Sequence, residues 1–353
     1  MTTWENIKNN GVFVGGHRKN GTTLLIALLD GHPDLFVYPY ETHFWYAFYP
    51  VYFSDNFTYE QRKQRIIDYV FHSLRQTIKK WMRLDEKDLK CTYNELNSIF
   101  SEKVDNSDRD VKDFLDAIIY SAREILPDPN YETHKYWIEK CTGSEIFVND
   151  ICKMYPHAKY IHVVRDPRDN WAVIKKGWDK HYHTQYDSMD RLLRSVIDRN
   201  YISQKMSIDN TRIYGDDRYL VIRYEDMVHD AMKVLKKVCL FLDISFDELF
   251  TEPSFCKIPW EGNSLSNIRY RSVSNERVGI HKNLPSEEIK ILEYYFRSEM
   301  IHYNYEPIYS EIQCVDAVRE HYKWFNANQT YSMKPIRTNY DHLDDKNRTR
   351  KQK

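Results

Sequence analysis

The first stretch with evident chemistry is a glycine-rich turn between an apolar run and an amphipathic run. Gly16 and Gly21 are separated by four residues, and Thr22 and Thr23 follow them. The backbone N–H groups of such a turn converge at a helix N-terminus, where the helix dipole adds partial positive charge, so the turn can bind a phosphate. Nucleoside triphosphatases need a lysine directly after the second glycine, but Thr22 stands there and the nearest lysine is Lys19. The turn therefore predicts a site for a single phosphate rather than an ATPase site.

A second candidate anion site follows another apolar run. Arg165 comes directly after Lys159–Val164, "KYIHVV", which predicts a buried central strand. Because ligands of open α/β sheets bind beyond the carboxyl ends of the strands, an arginine there can clamp a phosphate through two parallel hydrogen bonds. Alternatively, Arg165 belongs to an ion-pair cluster at the start of the next helix. That cluster would contain Asp166, Arg168 and Asp169.

The elements that must position these residues alternate between strands and helices. Strands are predicted at Gly11–Gly15, Asp34–Tyr38, Tyr136–Lys140, Lys159–Val164 and Tyr219–Arg223. Helices are predicted at 22–29, 58–84, 110–126, 143–154, between Arg165 and Gly177, and at 186–207, 226–242 and 286–303. This alternation predicts an α/β fold of three layers, with a central, mostly parallel sheet flanked by helices.

The remaining segments set the domain organisation. Residues 46–130 hold no obvious strand and predict a helical insertion. Residues 338–353 are densely charged, and we expect a disordered tail there. Length alone allows one or two domains, and we expect one domain over residues 1–337.

Composition narrows the class of protein. The chain has 353 residues, with 51 Lys and Arg against 52 Asp and Glu, so no overall basic field argues for a nucleic-acid partner. The six cysteines are scattered without a CxxC pair, which argues against zinc and favours reduced thiols. The N-terminus lacks an apolar signal core, and no apolar run approaches the roughly 20 residues of a membrane helix. We therefore expect a soluble, cytoplasmic protein without a membrane span.

Together these motifs resemble the sulfotransferases that use 3′-phosphoadenosine 5′-phosphosulfate (PAPS), nearest the carbohydrate and tyrosylprotein-type branch. The first signature of that family is a strand, [Lys/Arg]-[Ser/Thr]-Gly-Thr-Thr and a helix, and this chain has Asn20 at the Ser/Thr position. The resemblance implies a P-loop-like sulfotransferase fold in which the loop binds the 5′-phosphate of the donor. The loop residues that it implies as donor contacts are Arg18, Lys19, Asn20, Gly21, Thr22, Thr23 and Leu24.

Three later segments extend the resemblance to the rest of the donor. Arg165 matches the arginine that binds the 3′-phosphate, although Val173 replaces the serine that the family usually has eight residues on. "RYEDMV" resembles a family segment in which Tyr224 lies near the adenine or the 3′-phosphate; read alone, it is an ordinary strand-to-helix turn. "SVSNERVGIHKNLPSEE" resembles the late loop that closes over the nucleotide. The donor contacts implied in that loop are Arg277, Gly279, His281 and Lys282.

The resemblance also implies catalytic residues. Lys19 would neutralise the leaving phosphate oxygen, and Glu41 in "VYPYETHFW" would be the base. His43 is the alternative base, because the cytosolic small-molecule sulfotransferases use a histidine and histidine titrates nearer neutrality. Lys140 and Ser274 would stabilise the sulfuryl oxygens. Without the family, Glu41 and His43 are a polar helix start with a carboxylate on the helix dipole.

The expected reaction is in-line transfer of a sulfuryl group from PAPS, as co-substrate, to a hydroxyl or amine acceptor. It leaves 3′,5′-adenosine diphosphate and needs no metal, since no ligand cluster has suitable spacing. The acceptor stays open among carbohydrates, lipids, small molecules and peptide tyrosine, and the helical insertion would border it. Two alternatives are a P-loop-type kinase using ATP and a nucleotide-binding, sulfotransferase-like module without catalysis.

Overall fold

Five strands form the central sheet of this structure, a computed structural model that describes residues 3–48, 57–246, 252–262 and 273–328. The strands are β1 (Gly11–Gly15), β2 (Leu35–Val37), β3 (Tyr136–Lys140), β4 (Lys159–Val164) and β5 (Tyr219–Arg223). Their spatial order is β2-β3-β1-β4-β5, and every neighbouring pair is parallel. A second, two-stranded antiparallel sheet pairs β6 (Ser254–Phe255) with β7 (Ile258–Pro259). The predicted charged tail, 338–353, lies outside the described residues.

The register of the central sheet brings the carboxyl ends of its strands to one edge. Val14 pairs with Lys140, Gly15 pairs with His162, and Val164 pairs with Arg223. The strands are short apolar runs, and β1 is buried along its whole length, as expected for strands covered on both faces. The predicted fold class, a mostly parallel sheet flanked by helices, is therefore confirmed.

Helices occupy most of the remaining described chain. In chain order they are α1 (Trp4–Ile7), α2 (Thr22–Leu29), α3 (Phe44–Phe48), α4 (Tyr59–Ile66), α5 (His72–Thr77), α6 (Tyr93–Asp105), α7 (Val111–Ile125), α8 (Val148–Met154), α9 (Pro167–Lys175), α10 (Met189–Tyr214), α11 (Tyr224–His229), α12 (Ala231–Leu242), α13 (Ser286–His302) and α14 (Glu311–Asn328). Short π-helical segments lie at Ile67–Phe71, Ile78–Met82 and Trp178–Tyr182, and 3₁₀ turns at Glu86–Asp88, Ser144–Phe147 and Ile280–Asn283.

The chain divides into two units. The first comprises Met1–Arg165 and Ser203–Asn275, and it contains the central sheet. The second comprises Asp166–Ile202 and Glu276–Lys353, and it contains α9 and α13. The single domain expected over residues 1–337 stays a prediction.

Between β2 and β3, the described residues 57–135 contain helices and turns but no strand. Thr58 caps α4 by accepting a hydrogen bond from the Gln61 N–H, in a capping box. The predicted helix 58–84 is an α-helical run interrupted by two π-helical segments, and Arg83 ends it with φ 56°. This segment is the body of the predicted insertion.

In the second unit, buried charges join α9 to α13. Asp166 caps α9, and Pro167 occupies the first helical position. The Arg168 guanidinium donates to Asp166 (2.7 Å) and to Glu293 of α13 (2.6 Å). The expected ion pair of Asp166 and Arg168 is thus present, whereas Asp169 takes its partners from the late loop.

Candidate active site

The glycine-rich loop (residues 16–23) follows β1 and leads into α2. Gly16 and Gly21 have φ values of 132° and 101°, which side chains with a Cβ rarely adopt. A Cβ on Gly16 would stand 2.4 Å from the carbonyl oxygen of Val163, and one on Gly21 would stand 2.5 Å from the Tyr224 ring. Within the described chain no side chain caps α2, whose N-cap is Gly21. The N–H groups of its first turn are therefore available to an anion.

Hydrogen bonds to neighbouring strands and turns hold the loop. The Gly16 N–H donates to the carboxylate of Glu145 (3.0 Å), and its carbonyl accepts from the Gly143 N–H (3.2 Å). The side-chain amide of Asn20, which is fully buried, donates to the carbonyl of Val163 in β4 (3.2 Å). Asn20 therefore anchors the loop to the sheet from the position where the family usually has Ser or Thr. Sequence reasoning missed Glu145, because nothing local marks its contact with Gly16.

Arg165 lies against this loop. Its Nη1 donates to the carbonyl oxygen of Lys19 (3.0 Å), and its guanidinium carbon lies 4.1 Å from the centre of the Tyr224 ring. The side chain is buried, and a buried guanidinium on an aromatic face is held by cation–π attraction. Because Tyr224 also lies beside Gly21, the structure brings the loop and these two later residues to one place. Of the other predicted loop contacts, Thr22 and Thr23 are buried, and Arg18, Lys19 and Leu24 are half-buried.

A buried ion pair lies at the ends of β2 and β3. Lys140 Nζ donates to Glu41 Oε2 (2.7 Å), and the Thr142 N–H donates to Glu41 Oε1 (2.7 Å). His43 Nδ1 lies 3.7 Å from Glu41 Oε1, and the side chain of His43 is the more exposed of the two. The Thr42 N–H donates to the carbonyl of Lys140 (3.1 Å), so the segment after β2 continues along β3. The structure thus brings the predicted bases and Lys140 together.

Burial and neighbouring charges determine the protonation states of Glu41 and His43. Burial alone raises the pKa of Glu41, but Lys140, His43 and the Thr142 N–H outweigh burial and lower the pKa to about 2. Burial lowers the pKa of His43, while Glu41 opposes that shift. Burial raises the pKa of the adjacent Glu139 to about 7, although its hydrogen bond from Thr42 lowers it. At neutral pH Glu41 is therefore a carboxylate and His43 is mainly uncharged.

Beside the ion pair stands an aromatic wall, which we define as Tyr40, Trp81, Phe255 and Trp260. Lys140 Nζ lies 5.0 Å from the centre of the Tyr40 ring. The Trp81 and Tyr40 rings meet edge to face, with centroids 4.1 Å apart, and Trp81 also contacts Phe255 and Trp260. Tyr40 and Trp81 are half-buried. By contrast, Phe44, Trp45 and Phe48 of α3 are buried in the core.

The late loop divides between the two units. Ser274 is half-buried near the end of the first unit. In the second unit, Gly279 has φ 74° and its N–H donates to Asp169 Oδ2 (2.6 Å). His281 meets Asp169 Oδ1 through its backbone N–H (2.9 Å) and through Nδ1 (2.6 Å). Arg277 is half-buried, and Lys282 is exposed to solvent.

Comparison with known proteins decides the family. The family model described as "Sulfotransferase family" matches residues 11–248. The chain belongs to the sulfotransferase family. Comparison with curated protein sequences finds no match.

Several solved sulfotransferase structures are similar to this chain. The sulfotransferase domain from the Synechococcus PCC 7002 olefin synthase is 21% identical, with 89% of this chain and 94% of that chain covered and a TM-score of 0.51. The sulfotransferase domain from the curacin biosynthetic pathway is 19% identical, with coverage of 84% and 97% and a TM-score of 0.47. Sulfotransferase STF9 from Mycobacterium avium is 14% identical, with coverage of 84% and 77% and a TM-score of 0.43. The first similarity confirms that this sulfotransferase has the fold of its family.

Over the ranges given above, no helix combines the length and hydrophobicity that crossing a bilayer requires. The same residues contain no group of three or more His, Cys, Asp or Glu side chains that could hold a metal ion.

Proposed function

We propose that this sulfotransferase moves the sulfuryl group of PAPS to a hydroxyl or amine acceptor by in-line transfer, with Glu41 as the base. The supporting observation is the arrangement along one sheet edge. The glycine-rich loop, Arg165 and the ion pair of Glu41 with Lys140 follow the carboxyl ends of neighbouring strands. Ligands of open parallel sheets bind at this edge.

The anion-binding groups fit a nucleotide with two separate phosphates. The glycine-rich loop offers backbone N–H groups and two threonines to the 5′-phosphate. Arg165, which contacts the same loop, offers a guanidinium to the 3′-phosphate. A triphosphate with Mg²⁺ fits less well, since Thr22 replaces the lysine that reaches the terminal phosphates. We propose Tyr224 as a contact of the nucleotide and Arg277, Gly279, His281 and Lys282 as its late-loop contacts. Ser274 would help Lys140 to stabilise the sulfuryl oxygens.

In the proposed transfer, the acceptor oxygen forms a bond to sulfur as the bond from sulfur to the phosphate oxygen breaks. Glu41 takes the proton of the acceptor, and Lys19 neutralises the charge that develops on the leaving phosphate oxygen. Lys140 stabilises the sulfuryl oxygens. When Lys140 turns toward those oxygens, Glu41 loses its strongest cationic neighbour, and burial then raises its pKa and makes it a better base.

His43 is the second candidate for the base. Its side chain is partly exposed and lies 3.7 Å from Glu41. Because burial lowers its pKa, it is largely uncharged at neutral pH and can accept a proton. In that arrangement Glu41 would orient the imidazole instead of removing the proton itself.

The acceptor would bind beside the aromatic wall. Trp81 belongs to the helical insertion 46–130, and its contact with Tyr40 brings that insertion to the ion pair. Half-buried aromatic rings can hold an apolar body or a sugar face, so carbohydrates, lipids, small molecules and peptide tyrosine all remain candidates.

All six cysteines are free thiols, which supports a reducing, cytoplasmic setting.

The test compares nucleotides and then measures turnover. Calorimetry on the full chain should find 3′,5′-adenosine diphosphate bound roughly tenfold or more tightly than 5′-AMP, because Arg165 adds a charged hydrogen bond to the 3′-phosphate. Tighter binding of ATP with Mg²⁺ would instead indicate a kinase. Incubation of the protein with ³⁵S-labelled PAPS and pooled acceptors should then release label onto an acceptor. Nucleotide binding without any release would indicate a module that lacks catalysis.

A further inference from the structure

A closed set of buried polar side chains lies behind the glycine-rich loop. This polar ring consists of Glu145, Ser203, His162, Tyr219 and Asn210, all in the first unit and all buried. Ser203 hydrogen-bonds to the Glu145 carboxylate, and its Oγ lies 3.2 Å from His162 Nε2. His162 Nδ1 lies 2.6 Å from the Tyr219 hydroxyl. Asn210 Nδ2 reaches both the Tyr219 hydroxyl (3.4 Å) and the backbone carbonyl of Glu145 (3.1 Å).

From Asn210 through Tyr219, His162 and Ser203 to Glu145, the hydrogen bonds can all run in one direction. Burial lowers the pKa of His162 to about 3, so the imidazole is neutral and offers one donor and one acceptor. The tautomer protonated on Nε2 then donates to Ser203 and accepts from Tyr219. Ser203 then donates a hydrogen bond to the Glu145 carboxyl group. Burial raises the pKa of Glu145, whereas the hydrogen bonds from Ser203 and the Gly16 N–H oppose that shift. This chain of hydrogen bonds therefore ends at the Glu145 side chain, which also accepts from one further donor.

That further donor is the backbone of the glycine-rich loop. The Gly16 N–H donates to Glu145 Oε2 (3.0 Å), while the Gly16 carbonyl accepts from the Gly143 N–H (3.2 Å). Both backbone groups of Gly16 are thus held by the turn of residues 143–145. Gly16 also has φ 132° and passes so close to β4 that a Cβ would clash with Val163. The bend at which the loop leaves β1 is therefore fixed by partners outside the loop.

We propose that Glu145 is a positioning residue, which acts through Gly16 to hold the glycine-rich loop in its phosphate-binding shape before the nucleotide arrives. The nature of that nucleotide rests on the proposed function, whereas the holding of the loop does not. Preorganisation of this kind strengthens binding, because binding of the nucleotide does not have to supply the free energy that orders the loop. If Glu145 is lost, the buried Gly16 N–H lacks its acceptor and other loop conformations become populated. The apparent affinity then falls with the fraction of competent loop.

The test uses Glu145→Ala, Glu145→Gln and a matched control, Asp116→Asn. Asp116 is also a carboxylate with a tyrosine partner, Tyr155 (2.7 Å), but it lies on α7. Calorimetry measures the affinity for 3′,5′-adenosine diphosphate, and hydrogen exchange of the unliganded protein measures protection of amides 16–23. We expect Glu145→Ala to bind about tenfold more weakly, as for a buried donor left unsatisfied, and to exchange faster in the loop.

The conservative variant separates positioning from general stability. Glu145→Gln keeps an oxygen for the Gly16 N–H, so its loop exchange and affinity should lie closer to those of the unmodified protein than Glu145→Ala does. Asp116→Asn should lower the melting temperature without changing loop exchange or nucleotide affinity. If Glu145→Ala does not fold, Ser203→Ala replaces it, and faster exchange in the loop is again the expected result.

Unchanged loop exchange in Glu145→Ala, or in Ser203→Ala where that variant stands in, would overturn the proposal. An effect of the same size in Asp116→Asn would also overturn it, because the loss would then be one of general stability. If the unmodified protein does not bind 3′,5′-adenosine diphosphate, the proposed function fails, and the exchange measurement still decides whether Glu145 holds the loop.

Discussion

Lys140 pairs with Glu41 and, in the proposed mechanism, stabilises the sulfuryl oxygens. Its substitution should therefore lower both stability and activity. Lys140 is buried with its ammonium group 2.7 Å from Glu41, and a buried pair that loses one partner leaves an uncompensated charge. We expect Lys140→Met to lower kcat by about a hundredfold, because a stabilising donor at the reacting group is lost. The same change should cost about 3 kcal/mol of unfolding free energy. Steady-state kinetics with PAPS and thermal unfolding measure the two effects.

The control for this change is Lys112→Met. Lys112 also pairs with a carboxylate, Asp116, at 2.5 Å, but on α7 and with more exposure to solvent. It should lose some stability and keep its kcat. Equal kcat values in the two variants would contradict the role assigned to Lys140.

The pH dependence of kcat/KM distinguishes the two candidate bases, because this parameter reports the groups of the free enzyme. A base must be deprotonated to act. The pKa of Glu41 is lowered from 4.5 to about 2, so with Glu41 as base the rate should stay level as pH falls from about 8 to about 5. Burial holds the pKa of His43 below its ordinary 6.5, so with His43 as base the rate should fall as the pH drops through that lowered pKa. If kcat/KM of the unmodified protein decreases at acidic pH and that decrease is absent in His43→Asn, Glu41 is ruled out as the base.

At the scale of elements, the start of α2 depends on a conformation that only glycine adopts easily. Gly21 has φ 101°, and a Cβ there would meet the Tyr224 ring at 2.5 Å. We expect Gly21→Ala to destabilise the fold by about 1–3 kcal/mol and to abolish measurable binding of 3′,5′-adenosine diphosphate. The matched control is Gly215→Ala, which has φ 73° and follows the end of α10. Thermal unfolding should show a loss in both variants, and calorimetry should show lost binding only in Gly21→Ala.

The sheet could be predicted from sequence because each strand is a short apolar run. The bounds of β1, β3, β4 and β5 match the prediction, and β2 is shorter by one residue at each end. Helices were harder to delimit. The predicted helix 226–242 is broken at Asp230, whose extended backbone lets its side chain cap α12. α6 was missed, although Thr92 and Glu95 form a capping box before its buried apolar face. The π-helical segments have no sequence signal comparable to a cap.

From the sequence, only the site residues that follow predicted strands could be predicted to lie close together. Glu41, Lys140 and Arg165 follow strands whose carboxyl ends share one edge, so their proximity follows from parallel pairing. Trp81 and Glu145 act through contacts with residues far away in the chain. Such contacts depend on how helices pack, and periodicity within one helix carries no information about the partner.

At the scale of the whole molecule, the predicted donor contacts belong to different units. The glycine-rich loop is in the first unit, whereas Arg277, Gly279, His281 and Lys282 are in the second. The Asp169 carboxylate accepts hydrogen bonds from the backbone N–H groups of Gly279 and His281, and Lys282 is exposed to solvent. If the late-loop residues bind the nucleotide, bound nucleotide should protect their backbone amides from hydrogen exchange.

Hydrogen exchange with and without 3′,5′-adenosine diphosphate tests whether the late loop contacts the donor. At a ligand concentration of about 100 Kd, mass action stabilises the bound state by about 2.7 kcal/mol, and we expect amides in 277–282 to gain protection together with those in 16–23. Removing both charges, in Arg277→Ala with Lys282→Ala, should weaken nucleotide binding because two cations leave a bisphosphate site. Arg319→Ala, an exposed change in the second unit, should leave it unchanged. Protection confined to the first unit would show that the late loop makes no contact with the donor.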